Sequence, residues 1–196
     1  MREIIKNGAV VSDDWTLLRI STEVDGEAFA SNASGDVDAR AGMPPANPAA
    51  ATIVPEGRVI VPLAVWQAQQ ATLAGRAELG VWLASNERPE ILKDVLHRFQ
   101  VIAVDFPKFT DGRGYSIAYN LRARLGFKGE LRAIGDVLRD QLFYMHRVGF
   151  DTFATRPDRD IHDALKGLTD FSESYQASWD QKTPLFKRVG RPGAST

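Results

Sequence analysis

The sequence predicts an α/β fold in which successive βα units form a mainly parallel sheet, with a small β-hairpin at the N-terminus. Two observations favour this fold. From about residue 58 onward, short apolar runs alternate with amphipathic segments of about ten to fifteen residues, which is the pattern of βαβ units. Near the N-terminus, Asn7-Gly8 separates two apolar pairs, and Asn-Gly is typical of a two-residue hairpin turn.

Composition divides the chain into four regions. Residues 1–24 are predicted to form the hairpin, with Ile4-Ile5 and Val10-Val11 in its strands. Residues 25–52 are rich in Ala, Gly, Ser, Asn and Pro, and we expect a flexible linker because such a segment has little apolar surface to bury. Residues 53–180 are expected to form the α/β domain, and the polar residues 181–196 a flexible tail.

The elements of the α/β domain follow from its apolar runs and helix-boundary residues. Strands are expected at residues 58–62, 79–84, 101–106, 131–134 and 150–154. Helices are expected to begin near Pro89, after a Gly-rich loop, at an Asp136 cap, and at an Asp158 or Asp160 cap, and two of them to end at Gly126 and Gly149.

Two closures of this sheet are compatible with the pattern. One is an open, doubly wound sheet, and the other is a half-barrel resembling part of a (β/α)8 barrel. The unit length of roughly 25 residues and the lack of a dinucleotide-binding turn favour the half-barrel. Because a half-barrel leaves sheet edges exposed, we expect a homodimer.

Composition and spacing exclude several kinds of site. The 196 residues carry 24 Lys and Arg against 25 Asp and Glu, so no overall basic field for nucleic acid exists. The absence of cysteine excludes disulfides, thiolate nucleophiles and clusters held by the chain's own thiolates. The three histidines lack metal-ligand spacing, and Ser116 lacks a nucleophile-elbow motif. With no signal peptide and no apolar run of about 20 residues, we expect a cytoplasmic protein without membrane contact.

Ligands of βα folds bind at the carboxyl ends of the strands, and four loops are predicted there: 85–88, 107–115, 135–136 and 155–160. The second is the richest in binding groups, since two glycines allow close backbone approach and two cations lie beside a helix N-terminus. Phosphate, sulfate, sulfite or carboxylate would suit this loop, and an ordinary Asp-Gly turn is the other interpretation. The candidate anion- or partner-binding residues are Lys108, Asp111, Gly112, Arg113, Gly114 and Tyr115.

A supporting polar cluster is predicted beside this loop. Arg132 lies within a short strand and needs a carboxylate partner, for which Asp105 is the natural candidate and Glu130 or Asp136 are alternatives. A buried structural ion pair is the other interpretation of the same residues. The predicted cluster consists of Asp105, Arg132, Asp136, Arg139 and Asp140.

Three runs of sequence resemble one bacterial family. They are VDFPKFTDGRGYS at 104–116, GELRAIGDVLRDQ at 129–141 and RVGFD at 147–151. Together they resemble domain of unknown function 934, over about residues 57–176. The resemblance implies a cytoplasmic accessory protein whose genes commonly lie beside assimilatory sulfite reductase. Some members are labelled oxidoreductases without an established reaction, and the resemblance transfers neither catalytic residues nor a cofactor.

Two function hypotheses follow. The first is an accessory of assimilatory sulfite reduction that docks to or assists the sulfite reductase haemoprotein through the anion-binding loop. The alternative is a small oxidoreductase with a bound nucleotide or flavin, for which Gly112-Arg113-Gly114 is the candidate phosphate loop, although it matches neither of the common phosphate-loop motifs. A structural or regulatory dimer without a small ligand is a third interpretation.

Overall fold

The computed structural model describes residues 2–20 and 47–188, and in them eight strands form one curled sheet. The strands are β1 (Glu3–Lys6), β2 (Ala9–Ser12), β3 (Thr16–Leu17), β4 (Val59–Pro62), β5 (Leu79–Leu83), β6 (Val101–Phe106), β7 (Glu130–Gly135) and β8 (Thr152–Phe153). Their order is β2-β1-β8-β7-β6-β5-β4-β3. Strands β3 to β8 run parallel to one another, whereas β1 is antiparallel to both of its neighbours, β2 and β8. The predicted α/β fold with an N-terminal hairpin is therefore confirmed.

Helical segments connect the parallel strands. The α-helices are α1 (Pro48–Ala51), α2 (Leu63–Ala68), α3 (Gln70–Leu73), α4 (Arg113–Tyr119), α5 (Arg139–Val148), α6 (Ile161–Lys166) and α7 (Leu185–Arg188). Helix α4 continues as a π-helical turn over Asn120–Arg124, and 3-10 turns span Pro89–Leu92, Leu96–Arg98 and Gly167–Thr169. Within the described residues, no helix combines the length and the apolar composition needed to cross a membrane.

The short connection between β2 and β3 requires the sheet to curl. These strands are the two edges of the sheet, yet only Asp13, Asp14 and Trp15 separate them along the chain. Four Cα steps reach at most about 14 Å, whereas eight flat strands would hold the edges about 33 Å apart. The edges therefore approach each other, which confirms the predicted half-barrel; the open doubly wound alternative is wrong.

The two faces of the sheet bury different side chains, because neighbours along a strand point to opposite faces. On β6, Ile102, Val104 and Phe106 pack against the helical layer, whereas Val101 and Ala103 lie on the concave face. The side chains that pack on the concave face include Ile4, Ile60, Ile134 and Ala154, with Trp15, Leu17 and Trp82 partly buried beside them. The interior of the half-barrel is therefore filled, as in the centre of a (β/α)8 barrel.

The prediction of a single α-helix beginning near Pro89 is wrong. Two 3-10 turns take its place, because Val95 between them leaves the helical region with φ −121° and ψ 6°. Leu92 is buried there, but Ile91 is 55% exposed. The apolar residues of this segment therefore do not form one continuous helical face.

Helix boundaries near the other strands were predicted more closely. Gly149 ends α5 with φ 118°, and the carboxylate of Asp160 caps α6. The predicted Asp136 cap is wrong, because its carboxylate accepts a hydrogen bond from the Phe109 N–H instead. At α5 the Gln141 side chain accepts from the N–H of Leu138, the residue before the helix.

Two predicted flexible segments lie partly outside the described residues. Of the linker predicted over 25–52, residues 25–46 are not described, while its last residues include α1. The Asn47 side chain accepts from the Ala49 N–H, and Gln69 donates to the carbonyl oxygens of Ala49 and Thr52. The tail predicted over 181–196 includes α7, and its residues 189–196 are not described.

Candidate functional site

The segment 107–115 lies at the carboxyl end of β6, and its core is a paired Asp111 and Arg113. The Arg113 guanidinium donates from Nε to Asp111 Oδ1 at 2.9 Å and from Nη2 to Asp111 Oδ2 at 2.6 Å. The same Nη2 also donates to Ser85 Oγ, at 2.8 Å, in the loop after β5. The two bonds from Arg113 to Asp111 hold the pKa of this carboxyl group well below its usual range. Arg113 is therefore already engaged by a carboxylate of its own loop.

The glycines of this segment differ in what they require. A Cβ added at Gly114 would lie 2.5 Å from Cζ of the buried Phe106 ring, so only glycine fits without a shift. At Gly112 the nearest atom to an added Cβ is 3.8 Å away, in Tyr115. Gly114 is thus demanded by the packing of α4 on β6, whereas Gly112 is not.

Phe109 is presented on a backbone that side chains of the next βα unit hold on both sides. Its N–H donates to Asp136 Oδ2 at 2.7 Å, and its carbonyl oxygen accepts from Gln141 Nε2 at 3.2 Å. The Phe109 ring nevertheless remains 49% exposed, and Lys108 beside it is exposed as well. The loop is therefore fixed in position while its aromatic and cationic side chains face solvent.

Tyr115 continues this exposed region toward α5. Its ring packs against Phe106 at a centroid distance of 5.4 Å and against Tyr144 at 5.1 Å. Burial against these neighbours raises the pKa of the Tyr115 hydroxyl. Tyr144 itself is 53% exposed, so an aromatic surface extends from segment 107–115 onto α5.

The five residues of the predicted polar cluster are not brought together. Asp105 accepts from Arg19, Asp136 pairs with Arg156, and Arg139 pairs with Asp163 and Asp170, while Asp140 lies in the exposed first turn of α5. The predicted pairing of Arg132 with Asp105 is wrong, and the alternative Glu130 is confirmed. The reason is register: Arg132 lies opposite Ala103, one pleat closer to the amino end of β6 than Asp105.

Arg132 is held in a buried network inside the half-barrel. It donates from Nη1 to both oxygens of Asp13 at 2.9 Å and from Nε to Glu130 at 2.8 Å. Lys6 completes the network with a 2.7 Å contact to Glu130. The side chains of Arg132 and Asp13 are each 3% exposed. Asp13 was missed from the sequence because only the curl of the sheet brings it to β7.

Three further residues at the carboxyl end of the strands were missed. The Arg19 guanidinium lies over the Trp82 ring, 5.3 Å from its centroid, and Glu87 accepts from the Ala84 N–H at 2.6 Å. Burial raises the pKa of Glu87. They line a cavity of about 230 Å³. Glu87 could have been predicted from the sequence, since it lies in loop 85–88, which follows a predicted strand. Arg19 could not, because its place at the cavity depends on where β3 joins the sheet.

Metal-ligating groups do not cluster in the part of the chain that the structure describes. No group of three or more His, Asp or Glu side chains there is arranged to hold a metal ion. The chemistry that this end of the half-barrel offers is that of fixed guanidinium groups, a half-buried carboxyl group and exposed aromatic rings.

Comparison with known families identifies the chain. A family model described as "Bacterial protein of unknown function (DUF934)" matches residues 80–186, more than half of the chain. The chain belongs to this family. The DUF934 match starts later and ends later than the resemblance predicted, and it includes segment 107–115, Glu87 and Arg132 but neither Asp13 nor Arg19. No curated protein matches the chain.

Proposed function

We propose that this DUF934 protein is an accessory of assimilatory sulfite reduction that docks to the sulfite reductase haemoprotein through segment 107–115. The observation that carries the docking role is Phe109, whose backbone is bonded on both sides while its ring stays half exposed. The choice of partner rests on the family resemblance. Docking needs no catalytic residues in this chain.

The fixed backbone of Phe109 favours docking because binding then orders little that is not already ordered. Buried aromatic anchors carry much of the energy of protein interfaces, and an exposed Phe has apolar surface to bury there. Lys108 beside it provides a positive charge that steers association with an acidic surface. The exposed Tyr144, which packs against Tyr115 of the same segment, provides further aromatic surface.

The geometry favours a protein partner over a free anion at this segment. An oxyanion would compete with Asp111 for the Arg113 guanidinium, because Nε and Nη2 of Arg113 already donate to the Asp111 carboxylate. A partner surface that contacts Phe109 and Lys108 would leave this pair intact. We therefore assign Arg113 the role of holding the conformation of the loop, and sulfite is not its ligand.

Binding of purified components tests the proposal. The full chain, Phe109→Ala and Lys108→Glu are titrated into the haemoprotein, with Ile53→Ala as control, since Ile53 is 89% exposed and precedes β4. Phe109→Ala should weaken binding about thirty-fold, as for an aromatic anchor, and Lys108→Glu should weaken it less and mostly at low salt. Ile53→Ala should bind like the wild type.

Two results would contradict the proposal. One is a wild-type chain that does not bind the haemoprotein, and the other is equal binding by the wild type and Phe109→Ala. Titration of the same preparations with sulfite, NADPH and flavin tests the alternative. Cofactor binding that is lost in Arg113→Ala would favour the oxidoreductase.

A further inference from the structure

The cavity of about 230 Å³ at the carboxyl end of β4 and β5 combines two opposite charges with apolar walls. Arg19 and Glu87 line it together with Trp82, and Ile20, Pro62 and Leu63 contribute to its apolar wall. Its volume is below the range of about 300–1,000 Å³ that is typical of pockets for drug-sized ligands, so we expect a ligand smaller than a drug molecule. This is the end of a βα fold where small ligands bind.

The cation of this cavity is fixed before any ligand arrives. Arg19 donates from Nη2 to Asp105 Oδ1 at 2.8 Å, and its guanidinium lies over the Trp82 ring. The Trp82 ring is itself held, because its Nε1–H donates to the Leu18 carbonyl at 2.8 Å. A guanidinium held on two sides retains donors that can bind a carboxylate in a planar geometry.

The carboxyl group of the cavity has no cation of its own. Oε2 of Glu87 accepts from the Ala84 N–H, and within residues 2–20 and 47–188 no Lys or Arg forms an ion pair with Glu87. Its pKa is raised by burial, which is the expected behaviour of a half-buried carboxylate without a counter-ion. A ligand ammonium would supply the missing charge.

We infer that this cavity binds a small α-amino acid with a short apolar side chain. The ligand carboxylate lies at Arg19, its ammonium at Glu87, and its side chain against Ile20, Pro62 and Leu63. Arg19 is already balanced by Asp105, so the cavity carries an excess of negative charge when Glu87 is ionised. The ammonium is therefore the more important of the two ligand charges. This site is separate from segment 107–115 and does not depend on the docking function.

Three molecules of nearly the same shape test this assignment. L-valine carries both charges, isobutylamine lacks the carboxylate, and isovalerate lacks the ammonium. Calorimetric titration of the full chain near neutral pH should give the affinity order valine, isobutylamine, isovalerate. Each missing charge should weaken binding about ten- to a hundred-fold, the loss expected for one charge-assisted hydrogen bond.

Two variants should change this order in opposite ways. Glu87→Gln keeps an acceptor for the Ala84 N–H and should weaken valine and isobutylamine while leaving isovalerate unchanged or tighter. Arg19→Met keeps an apolar side chain over Trp82 and should lower valine to the level of isobutylamine. Glu78→Gln, at an exposed carboxylate paired with Arg58, is the matched control and should leave all three affinities unchanged.

The charge preference distinguishes a ligand site from a merely structural pair. Loss of fold would reduce binding of all three molecules equally, whereas the assignment requires a different change for each. The inference is overturned if none of the three molecules binds, if the wild type shows no preference for the ammonium, or if both variants preserve the wild-type order.

Discussion

Arg132 shows at the scale of one residue how charges are accommodated inside the half-barrel. Its guanidinium contacts Asp13 and Glu130, and Lys6 contacts the second oxygen of Glu130. Two cations and two anions therefore balance, with the side chains of Arg132, Asp13 and Glu130 buried and that of Lys6 partly exposed. Buried ion pairs of this kind add little net stability, but removing one member leaves the others uncompensated.

Replacing Arg132 with Met should consequently destabilise the protein by about 3–5 kcal/mol, since Asp13 and Glu130 would remain buried without their partner. The double variant Asp13→Leu, Arg132→Met should recover part of this loss, because it also removes an unpaired charge. Urea denaturation of the wild type and both variants measures the difference. An unchanged midpoint in Arg132→Met would mean that the network does not exist in solution.

Glu87 gives a pH-dependent prediction with a defined sign. Burial raises its pKa in the folded state above the unfolded value of about 4.3, so the folded state binds more protons between the two values. The Glu87 contribution to stability is thus lost as the pH rises from about 4.3 through the raised folded-state pKa.

Substitution Glu87→Gln removes this loss while keeping the bond to the Ala84 N–H. The variant should therefore gain stability relative to the wild type as the pH rises from about 4 toward neutral, and lose this advantage in acid. Thermal midpoints of both proteins across that range provide the measurement. A difference that is independent of pH, or that grows toward acid, would show that burial does not raise this pKa.

At the scale of elements, the chain between β6 and the first turn of α4 contains two glycines, Gly112 and Gly114, that look equivalent in sequence but have different surroundings in the structure. The Phe106 ring occupies the space beside Gly114, whereas the space beside Gly112 is open. Gly112 also has an ordinary backbone conformation, with φ −83° and ψ −1°. The sequence indicated a close backbone approach at both glycines. It could not distinguish them, because it does not reveal which way the Phe106 ring points.

Gly114→Ala should therefore cost about 1–3 kcal/mol, as expected when a side chain is forced into a packed interior. Gly112→Ala should be neutral or slightly stabilising, since it restricts the unfolded chain without strain in the folded one. Differential scanning calorimetry of the two variants compares the same chemical change at both sites. Equal midpoints for the two variants would contradict the packing of Phe106 on α4.

Local elements were predictable where one short-range signal determines them. The Asn7-Gly8 turn gives the hairpin, Gly149 ends α5 and Asp160 caps α6. Asp136 was misjudged because its position suits a cap, yet the Phe109 N–H of another loop competes for its carboxylate. Prediction from the sequence fails where a distant segment supplies the partner.

At the scale of the whole molecule, strand order is the property that sequence reasoning could not reach. Strand β3 follows β2 after three residues but lies at the opposite edge of the sheet. This placement brings Asp13 to Arg132 and Arg19 to Asp105. Both pairs therefore depend on the curl of the sheet, and neither can be found from spacing along the chain.

The homodimer expected from exposed sheet edges stays a prediction. Among the described strands the edges are β2 and β3, and the short connection between them brings them toward each other. Sedimentation equilibrium of the full chain measures the mass in solution. A mass of two chains is expected, and a mass of one chain at all concentrations would show that the edges do not pair between copies.

Amide hydrogen exchange of the full chain, with and without the sulfite reductase haemoprotein, tests the docking function most directly. The bond from Phe109 N–H to Asp136 already fixes this backbone, so added protection there would report contact with the partner. We expect slower exchange in segment 107–115 and in the adjacent part of α5, with no change in β1 and β2. Unchanged exchange across segment 107–115 at saturating haemoprotein would contradict the proposed docking.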